Sequence, residues 1–208
     1  MCHMLVRGGW MMIPLALCSL VAVTVIIERF CFFRRIGAPD RAEEVIGFAR
    51  KGRLEEAAGL IHGVIGEGNK SASLPVLRVL SAGLDHPFEP AGAMEAAGVA
   101  EVSSMKRGLV ALDTIITLSP LLGLLGTIMG MMNAFNVMAA AGLGQPHAVT
   151  GGVAEALVCT AAGISIAAVT LIPYNYFLAR VEQGTDVIET YATRLELAMN
   201  ACGRGEQR

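Results

Sequence analysis

Residues 109–179 read LVALDTIITLSPLLGLLGTIMGMMNAFNVMAAAGLGQPHAVTGGVAEALVCTAAGISIAAVTLIPYNYFLA, and these 71 positions include only two charged side chains, Asp113 and Glu155. A helix needs about 20 apolar residues to cross roughly 30 Å of hydrocarbon. The stretch is long enough for two such helices, and the glycines, proline and histidine at 141–150 mark a short loop between them. We therefore predict transmembrane helices at 109–140 and 151–179.

A third apolar run lies near the start of the chain, where residues 8–27 hold no charge over 20 positions. Trp10 before it and the phenylalanines after it are typical of the aromatic belts at membrane surfaces. A cleaved signal peptide is the alternative. The run is long, lacks a clear small-x-small cleavage site and leads directly into Glu28-Arg29. We favour an uncleaved transmembrane helix at 10–30, after an external N-terminus at 1–9.

The whole composition agrees with a membrane protein. Hydrophobic residues make up 54% of the chain and charged residues 16%, whereas a soluble domain carries about a quarter charged residues. Short amphipathic stretches at 42–50 and 54–61 predict helices within a cytoplasmic domain at 31–108, with breaks at Gly52, 63–69 and 85–90. The fold class is therefore all-α, an integral membrane protein with three transmembrane helices and a helical cytoplasmic domain.

The second transmembrane helix is predicted to continue far beyond the bilayer. A helical pattern runs from about Ala91 to Phe135 without a clear stop. Such a helix would be about 68 Å long at 1.5 Å per residue, roughly twice the thickness of the hydrocarbon core. We expect the excess to extend into the cytoplasm, with a bend at Pro120.

The basic residues predict the orientation. Residues 34–108 contain ten Lys and Arg side chains, and the C-terminal helix or tail at 180–208 contains four more arginines. The 141–150 loop contains none. Because cytoplasmic segments are enriched in Lys and Arg, we place the N-terminus and this loop outside (in the periplasm) and the C-terminus in the cytoplasm. Because three is an odd number of spans, the two termini lie on opposite sides of the membrane, as this arrangement requires.

The sequence offers no chemistry typical of an enzyme. The five cysteines form no CxxC pair and the four histidines form no HxxH or HxxxH pair, so a metal site or a disulfide framework is not expected. No set of nucleophile and base is apparent. We predict no enzyme activity, no cofactor and no nucleic-acid binding.

Small residues in the second and third spans predict close helix packing. Gly123, Gly126 and Gly130 follow Pro120 in the second span, and Gly163 lies among alanines in the third. Packing rather than hydrophobicity drives helix association in lipid, and glycines allow the backbones to approach closely. Taken alone, the Gly126-xxx-Gly130 spacing is common in membrane proteins.

Three polar side chains at depth are candidates for function. A carboxylate in a span costs a few kcal/mol and usually faces a bundle interior or a water-filled cavity, which singles out Glu155. An interfacial position, about one turn inside the boundary, is the alternative. Thr127 and Thr160 are the other candidates, although a buried threonine also bonds the carbonyl four residues back in its own helix. Glu155 and Thr160 are about 140° apart on the helix.

At these residues the sequence resembles the ExbB/TolQ/MotA proton channel family. Residues 118–135 (LSPLLGLLGTIMGMMNAF) are similar to its second-span signature, and residues 151–163 followed by 172–177 are similar to its third-span signature. Residues 27–30 after the first span are similar to ExbB-type chains. Ser119 stands where alanine is more usual. The family's flagellar member MotA has four spans, so the count of three argues against a flagellar stator.

The resemblance implies a function and partners. It implies a homopentamer in the bacterial inner membrane, with Thr127 and Thr160 lining a central pore. It also implies that Glu155, at the outer end of the third span, belongs to the ion pathway, with a role in either ion entry or structural pairing. It also implies an ExbD- or TolR-like single-span partner, whose aspartate carries the proton, and a TonB- or TolA-like energy transducer. Membrane lipid is the other expected contact. The transported ion is either H⁺ or Na⁺, with H⁺ favoured.

We expect an ExbB-like subunit that uses the proton motive force to energise TonB-dependent transport across the outer membrane. A TolQ-like subunit of a Tol-Pal envelope-maintenance motor is the close alternative. A passive membrane scaffold, in which Glu155 and the threonines are merely structural, is an alternative from another class.

Overall fold

The computed structural model describes residues 10–36, 40–66, 75–141 and 146–205, and these ranges are almost entirely helical. The seven helices within them are α1 (Met12–Arg35), α2 (Asp40–Arg50), α3 (Leu54–Gly66), α4 (Pro75–Asp85), α5 (Pro90–Lys106), α6 (Leu109–Ala141) and α7 (Pro146–Gly205). Stretches long and apolar enough to cross a membrane lie in α1, α6 and α7. These findings confirm an all-α membrane protein with three candidate spans.

The predicted helices at 42–50 and 54–61 correspond to α2 and α3. Gly52 separates them with a φ of 74°, a left-handed conformation that glycine adopts without a steric penalty. The predicted break at Gly63 is wrong, because α3 continues to Gly66. An interior glycine costs a helix only about 1 kcal/mol, and the burial of residues such as Ile61 outweighs that cost. Residues 67–69 of the predicted break lie outside the described ranges.

The long helical stretch predicted from Ala91 to Phe135 is present with one interruption. Helix α5 ends at Lys106 and α6 begins at Leu109. Gly108 has a φ of 82°, and the Arg107 amide donates a hydrogen bond to the Ser104 carbonyl, 3.3 Å away. Lys106 and Arg107 followed by Gly108 are a typical signal for a helix end, so the interruption has a local cause in the sequence.

Helix α7 is longer than the sequence suggested. It begins at Pro146, inside the stretch predicted as a loop, and continues for 60 residues to Gly205. No helix end separates the predicted third span from the predicted C-terminal segment at 180. Pro173 lies inside α7 at a position that the helix tolerates. Residues 142–145 of the predicted loop, and the predicted external N-terminus, lie outside the described ranges.

The chain forms two compact units. The membrane unit contains the described residues up to Glu28 together with Gly108–Tyr176. The polar unit contains Arg29–Arg107 and the described residues from Phe177 onward. Each unit has a core of its own.

The polar unit is a bundle of short helices packed on the second half of α7. Helices α4 and α5 lie against each other where a Cβ on Gly83 would be only 2.7 Å from the Met94 side chain. Met105 of α5 in turn lies against Gly184 of α7. The largest completely buried side chains of this unit are all apolar: Val45, Ile46, Ile61, Leu77, Val79, Leu80, Met105, Phe177, Val181 and Leu195.

The last turns of α1 belong to the polar unit. The Phe33 and Phe177 rings stack with centroids 5.6 Å apart. Arg29 is only 4% exposed and donates from Nη1 to the Ser104 carbonyl oxygen, 3.2 Å away. That carbonyl lies in the last turn of α5, where a cation is favoured by the helix dipole. Arg29 therefore stabilises the end of α5 just before the break.

An ion pair joins α2 to α7 within the polar unit. The Arg194 guanidinium donates two hydrogen bonds to the Glu43 carboxylate, at 2.6 and 2.7 Å. The Tyr191 hydroxyl donates a third to the same carboxylate at 3.2 Å. The hydrogen bond from Arg194 is the main cause that lowers the pKa of Glu43 below its ordinary value.

Helices α6 and α7 of the membrane unit meet at glycines on both sides. A Cβ on Gly123 would lie 3.0 Å from the Cys159 carbonyl oxygen, and one on Gly130 would lie 3.0 Å from the Ala156 Cβ. A Cβ on Gly163 would lie only 2.5 Å from the Ser119 carbonyl oxygen. We call this line of contact the glycine seam; it also includes Gly126 and Gly152.

Helix α1 packs along one side of the glycine seam. Met12 and Leu15 of α1 form a buried cluster with Cys159 of α7. The Met11 Cβ lies 3.4 Å from the position that a Cβ on Gly126 would occupy. The three apolar helices therefore form a small bundle, with α1 on the side of the seam that carries Cys159 and Gly126.

The seam predicts that alanine substitution will change thermal stability very differently at two glycines of α7. Gly163→Ala should lower the thermal stability of the detergent-solubilised protein, because the new methyl meets backbone rather than a flexible side chain; overpacking of this kind costs about 1–3 kcal/mol. Gly151→Ala is the matched control, since a Cβ there has nothing within 4 Å. Equal melting temperatures for the two variants would contradict the seam.

The Glu43–Arg194 pair predicts a pH effect. A carboxyl whose pKa is depressed on folding contributes stability above its unfolded pKa of about 4.3, and this contribution is lost as pH falls through the folded value. Glu43→Gln should therefore be less stable than the parent above about pH 5, and the gap should close on further acidification. The free energies of unfolding of Glu43→Gln and the parent, compared between pH 7 and pH 3, would measure this gap. Glu44→Gln, at the adjacent acid outside this ion pair, should show no such closing gap.

Candidate functional site

The two candidate threonines make different hydrogen bonds. The Thr127 hydroxyl donates to the Leu124 carbonyl of its own helix at 2.6 Å, as threonines in helices commonly do. The Thr160 hydroxyl instead donates across the glycine seam to the Gly123 carbonyl of α6, 3.1 Å away. Thr160 therefore links the two helices, which its sequence context did not reveal.

Both threonines lie on the side of the seam away from α1. Residues of a helix are about 100° apart, so Thr127 is turned by that angle from Gly126, the glycine that approaches Met11 just before α1. Thr160 is turned by the same angle from Cys159, which packs in the α1 cluster. Because α6 and α7 are antiparallel, both turns are toward the same side. The two hydroxyls are thus on one face of the α6–α7 pair. We call this surface, which carries Thr127 and Thr160, the threonine face.

Glu155 lies on the opposite side, next to α1. It is one turn before Cys159 and lines a cavity of about 350 Å³ at the end of the bundle where α1 begins. The Trp10 and Met11 side chains belong to the same cavity. The separation of about 140° between Glu155 and Thr160 on the helix therefore corresponds to two different surfaces of the membrane unit.

Two asparagines that line the Glu155 cavity were not among the candidate residues predicted from the sequence. Asn133 and Asn136 of α6 line it together with Glu155. Their i, i+3 spacing places them on one face of the helix, and two carboxamides in an apolar helix are a signal in themselves. What the sequence alone could not provide is that this face and Glu155 converge.

Ser119 and Pro120 occupy the middle of α6. Ser119 is fully buried, and its hydroxyl has no hydrogen-bond partner among the described residues. Its carbonyl oxygen is the atom that approaches Gly163 most closely. Pro120 lies inside the helix and supplies no amide hydrogen. This part of α6 is therefore held by close packing against α7.

The membrane unit has few charges with which to carry an ion. Apart from Glu155, the acid in the described part of α6 and α7 up to Tyr176 is Asp113, about 21 Å along the helix axis from Thr127 at 1.5 Å per residue. Across the described ranges, no three His, Cys, Asp or Glu side chains are grouped as metal ligands. The threonine face is thus polar but uncharged near Thr127 and Thr160.

Comparison with known proteins identifies the family. Residues 72–190 match the MotA/TolQ/ExbB proton channel family. The ExbB-like 3 protein of Synechocystis sp. is 35% identical, over 91% of this chain and 90% of its own length. The Tol-Pal system protein TolQ of Pseudomonas aeruginosa is 34% identical over 53% of this chain, and the biopolymer transport protein ExbB of Salmonella typhimurium is 39% identical over 37% of it.

The family match covers more than half of the chain, including α6 and the part of α7 that carries Glu155 and Thr160. The Synechocystis relative extends the similarity to nearly the whole length. This chain is a member of the MotA/TolQ/ExbB proton channel family.

Proposed function

We propose that this chain is the ExbB-like subunit of a proton-driven motor in the bacterial inner membrane, which energises TonB-dependent transport across the outer membrane. The proposal rests on family membership and on the long match to an ExbB-like relative. One structural observation carries the mechanism. The threonine face of the α6–α7 pair offers hydroxyl groups but no nearby carboxylate.

A channel of this kind needs a group that accepts and releases the ion. Thr127 and Thr160 can hydrogen-bond to such a group, because their hydroxyl oxygens remain acceptors while the hydrogens are donated to carbonyls. They cannot themselves take up a proton at physiological pH. The ion-carrying carboxylate is therefore supplied by an ExbD- or TolR-like single-span partner that packs against the threonine face, within a ring of five copies of this chain.

The energy available per ion is modest. One elementary charge moving through 100 mV releases about 2.3 kcal/mol. That is enough to bias a conformational step only if the charge is confined to one path. A narrow threonine-lined path beside the partner's carboxylate would provide this confinement, and the glycine seam would keep its walls in place.

The orientation follows from the distribution of basic residues. Ten Lys and Arg residues lie between 34 and 108, so this part is cytoplasmic by the positive-inside rule. The C-terminal end of α7 lies on the same side. The N-terminus and the link between α6 and α7 are periplasmic. An energy transducer of the TonB type would engage from the periplasm.

A TolQ-like role in Tol-Pal envelope maintenance is the second candidate, supported by the match to TolQ. Genes next to this one would discriminate between the two: an ExbD-like and TonB-like pair, or a Tol-Pal set. In a deletion strain, loss of energised uptake supports the first role, and leakage of the outer membrane supports the second.

Substitution of the threonines tests the pore. Thr127→Val and Thr160→Val should each abolish proton flux and energised uptake, because the hydroxyl acceptors are lost with little change in volume. Mass measurement of the complex pulled down in detergent should still report five copies and the partner. Thr170→Val is the matched control, since the Thr170 hydroxyl is buried and bonds only the Ile166 carbonyl of its own helix; it should remain active.

Full activity of both threonine variants would contradict the pore assignment. A passive scaffold would be supported if collapse of the membrane potential left the activity that depends on this chain unchanged in wild-type cells. A pulldown in which the chain is recovered as a monomer without a single-span partner would contradict the two-component motor.

A further inference from the structure

A groove in the polar unit lies apart from the membrane helices and from the residues assigned to the ion path. It has a volume of about 830 Å³ and runs between α5 and the second half of α7. Its lining extends along α5 from Ala91 to Lys106, which is about 22 Å at 1.5 Å per residue. The groove is therefore long enough for about four turns of a helix or for an extended segment of about seven residues.

The floor of the groove is apolar. Met94 and Gly98 of α5 and Ile188 of α7 are buried beneath it. Val99 lies beside them and is 67% exposed, and Ala192 on the facing helix leaves room above the floor. Exposed apolar surface that is rimmed by polar residues is typical of a site for another protein chain.

The rim of the groove is mostly acidic. Glu95 of α5 and Glu189 and Glu196 of α7 belong to it, and Lys106 is the one basic side chain among its described lining residues. Within the described part of the chain, none of the three glutamates forms an ion pair. An apolar or acidic chain in the groove would bury these carboxylates without compensation. The groove therefore fits a chain that brings Lys or Arg side chains.

A single-span partner provides such a chain. The proposed function assigns its span to the threonine face, and α7 continues from the membrane unit into the polar unit as one helix. The partner therefore leaves the bilayer beside α7. Cytoplasmic segments next to a span are enriched in Lys and Arg. A second copy of this chain is a poorer match in charge, since its net charge is −2.

We propose that the α5–α7 groove binds the basic cytoplasmic segment that adjoins the span of the ExbD- or TolR-like partner. Apolar side chains of that segment pack against Val99, and its Lys and Arg side chains pair with Glu95, Glu189 and Glu196. The groove gives the partner a second attachment, outside the membrane. The identity of the partner rests on the proposed function, and the cytoplasmic binding site goes beyond it.

Photocrosslinking in the assembled complex tests the groove. Benzoylphenylalanine takes the place of Val99 in the full-length chain. Leu197 is the matched control position, because it is 64% exposed on α7 and lies outside the groove. The partner is the single-span protein recovered with this chain in detergent. We expect Val99 to crosslink to the partner's segment next to its span, with a yield severalfold above that of Leu197.

The other outcomes contradict the assignment. A crosslink from Val99 to a second copy of this chain, equal yields from Val99 and Leu197, or no crosslink to the partner's cytoplasmic segment would overturn the groove as the binding site. If the partner is recovered but Val99 does not crosslink to it, the groove assignment fails and the proposed motor stands. If no single-span protein is recovered, the two-component motor and the groove assignment both fail.

Charge reversal tests the chemistry of the contact. Glu95→Lys combined with Glu189→Lys should lower the Val99 crosslink to the partner at least about tenfold, because like charges facing each other across a binding surface are strongly unfavourable. Glu44→Lys combined with Glu55→Lys is the matched control. Both of these acids are exposed and lie outside the groove, so the crosslink should be retained.

A compensating change separates lost pairing from misfolding. Glutamates in place of the Lys and Arg residues of the crosslinked partner segment should restore the crosslink to the chain that carries Glu95→Lys and Glu189→Lys. A misfolded groove would not be rescued in this way. Absence of rescue, or an undiminished crosslink in the charge-reversed chain, would overturn the pairing of the partner's cations with the acidic rim.

Discussion

The close approach of α6 and α7 at the glycine seam is the contact on which the rest of the membrane unit depends. In lipid, hydrophobic burial gives little reason for one apolar helix to prefer another, so association depends on packing and hydrogen bonds. At Gly123, Gly130 and Gly163 an added Cβ would lie 3.0, 3.0 and 2.5 Å from the nearest atom of the facing helix, so the two helices approach closely only because these residues are glycines. The same approach brings the Thr160 hydroxyl within 3.1 Å of the Gly123 carbonyl, so the seam also determines where the polar groups lie.

The seam divides the polar groups between two surfaces. Thr127 and Thr160 are on one side, and Glu155 with its two asparagines is on the other, where α1 closes the bundle. Glu155 and Thr160 are only five residues apart in the sequence, yet they belong to different surfaces of the membrane unit. This division is why we assign the ion-carrying acid of the threonine face to a partner and give Glu155 a place of its own.

Much of this arrangement could be predicted from the sequence. The three apolar runs, the helices at 42–50 and 54–61 and the angle between Glu155 and Thr160 all follow from the local pattern of residues. The break at Gly108 has a signal in the sequence, since Lys106 and Arg107 followed by Gly108 are typical of a helix end. The unbroken course of α7 beyond 179 could not be predicted, because a change from apolar to charged residues marks a membrane boundary but does not end a helix. The convergence of Asn133 with Glu155 depends on how α6 lies against α7, which one helical wheel does not contain.

Energetics suggests which parts of the proposed motor stay fixed. Sliding α6 along α7 by one residue would bring side chains to places that now admit only glycine, and each such overlap costs about 1–3 kcal/mol. The seam has three such places, where Gly123 meets Gly163, Gly126 meets Cys159 and Gly130 meets Gly152, so together they cost at least about as much as the roughly 2.3 kcal/mol that one charge gains per 100 mV. We therefore expect α6 and α7 to resist sliding past each other. Under the proposed function, α6 and α7 move as one body, and the step that each proton drives is the motion of the partner against the threonine face.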